Sequence, residues 1–380
     1  MLHGGILSKF VHTADWQLGK PFGRMPDVVR TVLGEARLDV IGAIAGVARA
    51  QGIQHVLVAG DVFDNPEPGD RLLRQALSRM RDAGCIWWLL PGNHDYARSE
   101  GLWSRLKADA PDNVRALTEP VAVQMDEQSW ILPAPLAYRR TMGDPTAILD
   151  ELVTPPGVVR IGLGHGSIQS FGSEHETNLV APDRATRAGL DYLALGDWHG
   201  FLTVGDRSAY SGTPEPDGYG RETTGGVVVV DVEQGRVPFI EFMPTSRFRW
   251  AEATWDLDSE ASFDRELLAL RARGMLAQTL LKLSITGITS LADRVAITRR
   301  LSDELAHELR WLDANVDGLS TRPTEDDLRD IDTQGALAVA AESLKLTAAS
   351  GSPDAAIAAA ALERLYVETI RATRLKEGAG

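Results

Sequence analysis

The stretch IQHVLVAGDVFD, residues 53–64, sets the frame for the whole chain. Its apolar run, Ile53–Ala59, predicts a short strand of the type buried on both faces. Gly60 ends the run, and two carboxylates, Asp61 and Asp64, follow at once. Working outward, Asp27–Gln51 carries Val28, Val32, Ala36, Val40, Ile44 and Val47 at helical spacing. Before it, Ile6–His12 predicts another strand. On the other side, Gly69–Ala83 has helix-period apolar residues at Leu72, Leu73, Ala76, Leu77 and Met80. Cys85–Leu90 then predicts a third strand, closed by Pro91-Gly92. Strand and helix alternating in this way imply parallel strands with helices covering the sheet, an α/β fold.

From Val114 onward short strand-like pieces dominate. They are Val121–Gln124, Trp130–Leu132, Val158–Leu163, Tyr192–Leu195, Gly226–Val232 and Val237–Phe242, expected to form a second set packed beside the first. Near Pro244 the texture changes. Leu280–Ile285 and Leu309–Val316 predict strands and Ser290–His307 a helix, a compact α+β unit. Beyond Pro323 the chain is alanine-rich with helical periodicity, and Ser352-Pro353 predicts a helix start. The expected organisation is therefore residues 1–245, a cap over 246–320 and a helical tail over 321–380.

Composition narrows the function classes. Acidic residues exceed basic ones, 53 against 39, so a whole-molecule field that attracts polyanions is excluded. A nuclease is not, because bound cations reverse the sign locally. The single cysteine, Cys85, rules out an intrachain disulfide and a multi-cysteine zinc site. No stretch reaches the ~18 apolar residues of a membrane span. The start, MLHGGILSKF, lacks a charged region followed by an apolar signal core, and a cytoplasmic protein is expected.

Metal-ligand residue types follow the predicted strands. The segments are HTADWQLG (Asp15, Gln17), GDVFD (Asp61, Asp64), GNHD (Asn93, His94, Asp95), GHG (His165) and LALGDWHG (Asp197, His199). Alone, Gly-Asp or Pro-Gly-Asn is ordinary turn chemistry. Together they arrive at the carboxyl edge of parallel strands, where open α/β sheets bind ligands. Of the remaining histidines, His55 is expected to pack in its strand and His307 to lie on a charged helix face. His3 and His175 are expected to be solvated, and His12 to be structural.

This ensemble resembles the calcineurin-like metallophosphoesterases, whose pattern is D-x-H, G-D-x-x-D, G-N-H-D, a lone G-H and G-H-x-H. Its flanks are similar to those of the bacterial SbcD group of double-strand-break repair exonucleases. HTADWQLG stands where that group has HTSDWHLG, and YSGTPEP at residues 210–216 matches its texture. The resemblance implies a four-layer αββα sandwich of two mixed sheets, with a small α+β cap and a helical tail. It implies two divalent ions, Mn²⁺ suiting the donors best, with Mg²⁺, Fe or Zn as other candidates. Asp61 would bridge them. Asp15 and His199 would complete the first metal site, with Gln17 in place of the usual histidine. Asn93 and His165 would hold the second, with Asp197 where the pattern has histidine. His94 would contact the scissile phosphate instead of a metal, while Asp64 and Asp95 would orient the loops.

The resemblance also implies a DNA substrate, an SbcC-type coiled-coil ATPase partner and a homodimer. Residues carrying each implication have a second reading. Arg247-Phe248-Arg249-Trp250 combines cations and aromatics as a nucleic-acid contact would, or Phe248 and Trp250 fill the cap core. Leu362, Leu365, Tyr366 and Ile370 form a docking stripe, or pack near Leu337 and Leu344. Leu102, Trp103 and Leu106 offer a dimer face, or are buried in the monomer. The alternative functions are a phosphodiesterase on nucleotides or small phosphoesters, and a catalytically weak subunit of an ATPase complex.

Overall fold

A computed structural model describes residues 7–168, 177–220, 224–322, 324, 327, 331 and 335–377; His3, His175 and the side chain of Ile370 lie outside the described residues. The chain forms two compact units, Met1–Phe248 and Arg249–Gly380.

The first sheet of the larger unit begins with β1 (Leu7–Thr13), β2 (His55–Val58), β3 (Ile86–Leu89) and β4 (Val114–Ala116), all parallel. Helices α1 (Asp27–Ala50), α2 (Asp70–Asp82) and α3 (Leu102–Asp109) connect them. The buried strand runs follow from this position. Val56 and Val58 face the helices, while Leu57 and Ala59 face the second sheet, so no residue between them can be polar.

The second sheet runs in the order β11 (Leu202–Val204), β12 (Ser208–Tyr210), β10 (Tyr192–Gly196), β7 (Val159–His165), β6 (Ser129–Pro133), β5 (Val123–Gln124). Its inner face meets the first sheet through Ile131, Ile161, Leu163, Tyr192 and Ala194. Outside it lie only the 3₁₀ turn Ala147–Asp150 and the single-turn helix α4 (Arg184–Arg187) among the described residues, so the fourth layer of the sandwich is thin. A two-stranded piece, β8 (Ser167–Ile168) with β9 (Leu179–Val180), follows β7.

One expectation needs correction. Strands β13 (Gly226–Glu233) and β14 (Phe239–Pro244) do not join the second sheet. They form a hairpin on the edge of the first, β13 running antiparallel to β1 from Leu7↔Glu233 to His12↔Val228. The helix-facing Val227 and Val229 and the inward Val228, Val230 and Val232 need two-sided cover, which either sheet could supply.

The smaller unit opens with β15 (Arg249–Leu257), β16 (Thr279–Thr289) and β17 (Trp311–Thr321), all parallel, crossed over by α5 (Glu260–Ala272) and α6 (Leu291–Arg300). The predicted helix over 290–307 is interrupted after Arg300 by a π turn, Leu301–Leu305. Two further helices follow, α7 (Ala336–Ala348) and α8 (Ala355–Glu377). Ser352 and Pro353 lie in the turn before α8, whose start is two residues later than the sequence predicts. Leu362 and Tyr366 of α8 are buried with Leu291 of α6 and Ala341 of α7, and Arg294 pairs with Glu363 at 2.9 Å. Of the stripe named for partner docking, Leu362 and Tyr366 are thus covered within the chain, with Leu365 partly so. So are Leu102, Trp103 and Leu106, which sit in the core beneath α3. Phe248 and Trp250 are 3% and 5% exposed, so neither ring is free to stack on a base.

Candidate metal centre

The carboxyl ends of β1, β2, β3, β7 and β10 point to one edge, and each delivers a polar side chain there. Beyond β1 and β2 the two loops run side by side: Asp15 N–H donates to the Gly60 carbonyl (3.1 Å) and Gln17 N–H to the Asp61 carbonyl (2.9 Å). This pairing holds Asp15, Gln17 and Asp61 at φ of 55°, 42° and 54°, and Asp197 sits at 100°. Left-handed backbone at four non-glycine residues of one edge is strain that the surroundings must enforce, and such strain gathers at functional sites. Two glycines permit the approach. A Cβ on Gly60 would lie 2.2 Å from His165 Nδ1, and one on Gly92 would lie 2.2 Å from Asp61 Oδ1.

Asp15, Asp61 and His165 form a buried trio with ligand atoms within 4.8 Å of one another. His165 donates from Nδ1 to the Ala59 carbonyl (2.8 Å), which orients the ring with Nε2 facing inward. That Nε2 is buried without a hydrogen-bond partner, 3.5 Å from Asp61 Oδ1 and 3.7 Å from Asp197 Oδ1. Donors about 2.1 Å from one ion stand about 3–4 Å apart, so these separations suit a shared cation. Asn93 donates from Nδ2 to Asp197 Oδ1 (3.0 Å), and its Oδ1 is likewise buried and unpartnered. Two orphaned acceptors beside three carboxylates are the donor set that a hard divalent ion satisfies. The residues present fit the group.

The electrostatics agree. Burial pushes Asp15 up to about 6, with Asp61 and Asp197 adding to the rise. His165 is opposed by burial yet drawn up to about 9 by Asp61, Asp15 and Asp197. The His165 shift reports the negative charge of the three carboxylates around it, which cations offset. The backbone tightens the cluster further. Asp61 Oδ1 accepts from His94 N–H (2.9 Å), and the Asp15 carboxylate accepts from Asp197 N–H at 3.1 Å.

Gln17 and His199 form a pair beside this cluster, Gln17 Nε2 lying 3.3 Å from His199 Nε2. His94 is a third of the way into solvent (32% exposed), its Nδ1 bonded to the Asp64 carbonyl at 2.9 Å. Asp95 accepts from Gly92 N–H (2.7 Å) and Phe63 N–H (3.1 Å), tying the GNHD turn to the GDVFD turn. His12 is buried between Tyr192 Oη (2.9 Å) and the Leu195 carbonyl (3.2 Å), away from the donors. His55 accepts from Trp88 Nε1 within the first sheet.

A family model, calcineurin-like phosphoesterase, matches residues 8–201, just over half of the 380. The chain belongs to the calcineurin-like phosphoesterases. Members are metal-dependent hydrolases of phosphoesters, and this phosphoesterase carries its donors on the strand ends described above. A comparison with curated proteins finds no match. Similar solved structures include TT1561 of Thermus thermophilus, 9% identical over 63% of this chain and all of that one, with a TM-score of 0.41. A second crystal structure, 12% identical with the same coverage, has a TM-score of 0.37. At these scores neither likeness bears on substrate or mechanism.

Sequence reasoning missed four residues at the phosphoesterase's centre. Asp217 pairs with His199 Nδ1 (3.3 Å), with Lys20 and with the buried Arg37 (3.4 Å), and these partners hold its carboxyl well below the usual range against the pull of burial. Ser167 donates to Asp197 Oδ2 at 2.5 Å. Pro-Asp-Gly at 216–218 reads as a turn, which hides Asp217; its place directly after the YSGTPEP match was the available signal.

Proposed function

We propose that this phosphoesterase hydrolyses phosphodiester bonds in DNA, using two divalent ions of which Mn²⁺ suits the donors best. Asp61 would bridge the ions, Asp15, Gln17 and His199 would complete one site, and Asn93, His165 and Asp197 the other. Bound there, the cations supply the positive charge that neutralises the phosphodiester and acidifies a water. The chain's own residues do the rest. Asp61 and Asp15 are pinned by the N–H groups of His94 and Asp197, and the Ala59 carbonyl aims His165.

The observation that carries the reading is His94. It stands outside the buried donors, and its Nδ1–H bond to the Asp64 carbonyl turns Nε2 toward a phosphate, so that the ring, when protonated at both nitrogens, would give its Nε2 proton to the departing oxygen. DNA as substrate rests on the match of residues 8–245 to the SbcD group and on the units that follow it. A cytoplasmic setting, a homodimer and an SbcC-type ATPase partner belong to the same reading. Leu362 and Tyr366 are buried, so the partner's contact would lie elsewhere on α7 and α8.

A second reading has its own support. A cavity of about 450 Å³, bordered by Asp197, His199, Thr213, Pro216 and Asp217, is large enough for a nucleotide. The test offers metal-stripped protein, with Mn²⁺ restored, labelled single- and double-stranded DNA alongside bis(p-nitrophenyl) phosphate and cyclic nucleotides. Asp61→Asn is the inactive control. Cleavage of DNA that Asp61→Asn abolishes is expected. Turnover of the small diesters with intact DNA would overturn the DNA reading in favour of the second.

A further inference from the structure

Beside the buried trio, four side chains close on themselves. Lys20 Nζ donates to Gln17 Oε1 (3.1 Å), and Gln17 Nε2 donates to His199 Nε2 (3.3 Å). His199 Nδ1 donates to Asp217 Oδ1 (3.3 Å), and Asp217 Oδ2 returns to the Lys20 ammonium. The Gln17 amide has one sensible orientation in this ring. Turned over, its N–H₂ would face an ammonium, donor against donor. With the amide so placed, His199 Nε2 meets the Gln17 N–H₂ as an acceptor.

The consequence for cation binding is an asymmetry. At the Asn93–His165 end, the oxygen and nitrogen that would meet an ion are unpartnered. At the Gln17–His199 end, both are already occupied, the amide oxygen by a full positive charge. A dication entering there must remove the ammonium from Gln17 and let the amide turn. Asp217 does not move with it, because Arg37, 1% exposed, holds the same carboxylate from within the fold. The ring therefore opens at Lys20.

We propose that Lys20 is a built-in competitor for the cation at the Gln17–His199 site, so that the two sites bind with unequal affinity. The Asp61–Asn93–His165 site fills first and tightly. The other fills only when Lys20 is displaced, and until then the ammonium is the fixed positive charge on that side. This rests on the metal reading above and adds a residue to it that sits three positions beyond Gln17, outside the recognised motifs.

The test is Mn²⁺ binding to the metal-stripped full chain, by titration calorimetry with equilibrium dialysis for stoichiometry. The wild type should show one tight class and a second at least ~10-fold weaker. Lys20→Met should tighten the second class by ~10-fold or more, the scale by which outer partners tune a metal site. Lys20→Arg, which keeps the charge, should leave it weak. Circular dichroism of both variants guards against misfolding; Lys20 is partly exposed on a loop, so both should fold. Two equal classes in the wild type, or no change in Lys20→Met, would overturn the proposal. Asp61→Asn, run in parallel, tests the underlying reading separately. If it binds Mn²⁺ as the wild type does, the metal assignment fails whatever Lys20 does.

Discussion

At the scale of single residues, the centre separates a buried cluster of donors from one histidine whose ring stands outside it. His94 contributes only its backbone N–H to the donor cluster, through Asp61 Oδ1, while its ring hangs on the Asp64 carbonyl. His94→Ala keeps that N–H. Mn²⁺ stoichiometry should therefore stay at the wild-type value while diester turnover falls by ~10²-fold or more, the scale of a lost general acid. Dialysis beside a rate assay decides it, and loss of metal together with rate would make His94 a ligand. His12 supplies a contrasting case, a histidine whose work is structural. Burial pushes it down to about 3, with the Leu195 carbonyl only partly opposing. Between about pH 6.5 and 3 the unfolded chain takes up a proton that the folded chain refuses. Its share of stability is intact above about pH 6.5 and is lost at up to ~1.4 kcal/mol per pH unit as the pH falls through that window. His12→Gln cannot titrate, so its denaturant-measured stability should show a shallower acid slope than the wild type. Parallel slopes would mean that His12 is protonated in the fold.

Elements place those residues by bringing backbones unusually close. Gly92 shows how little tolerance there is, since an added methyl meets Asp61 N at 2.4 Å as well as Asp61 Oδ1. Backbone cannot step aside as a side chain can. Gly92→Ala should cost about 1–3 kcal/mol of stability, as overpacking does, and weaken Mn²⁺ binding at the same time. A thermal melt and a titration on one sample test both. The same closeness explains which elements the sequence disclosed. The strand–helix alternation from Leu7 to Leu89 was legible because buried runs and helical spacing are local signals. The strand-end donors were legible because their order along the chain matched a family pattern. The sheet that would receive β13 and β14 was not, because Val227–Val230 is apolar on both faces and its partner, β1, is over two hundred residues away. Helix α5 went unread although Ser259 and Ser262 form a capping box at its start. Asp217 was hidden for a related reason. A Pro-Asp-Gly turn carries no mark of the His199, Lys20 and Arg37 side chains that meet it only in the fold.

On the scale of the molecule, charge and division of labour set the last expectation. The chain carries a formal charge of −14, so long-range attraction to DNA cannot come from the protein as a whole. Every donor of the metal centre, the Lys20–Asp217 ring and both large sheets lie within Met1–Phe248. The apolar clusters that cover those sheets draw on residues between Phe10 and Met243. The cap and tail build theirs from Ala251 to Tyr366. A fragment ending at Phe248 should accordingly fold, bind Mn²⁺ and turn over bis(p-nitrophenyl) phosphate within about threefold of the full chain, as a domain with its own core does. DNA is a different demand, because a long polyanion needs contacts beyond the ions, and the cap and tail are where the SbcD-like reading puts them. Cleavage of DNA by the fragment should fall well below that of the full chain and lose part of its salt dependence, since fewer phosphates are neutralised by side chains. Both substrates should be assayed over a salt series with fragment and full chain side by side. Equal DNA rates at every salt concentration would confine substrate recognition to the larger unit, whereas a folded fragment inactive on the small diester would make residues 249–380 part of the catalytic machinery.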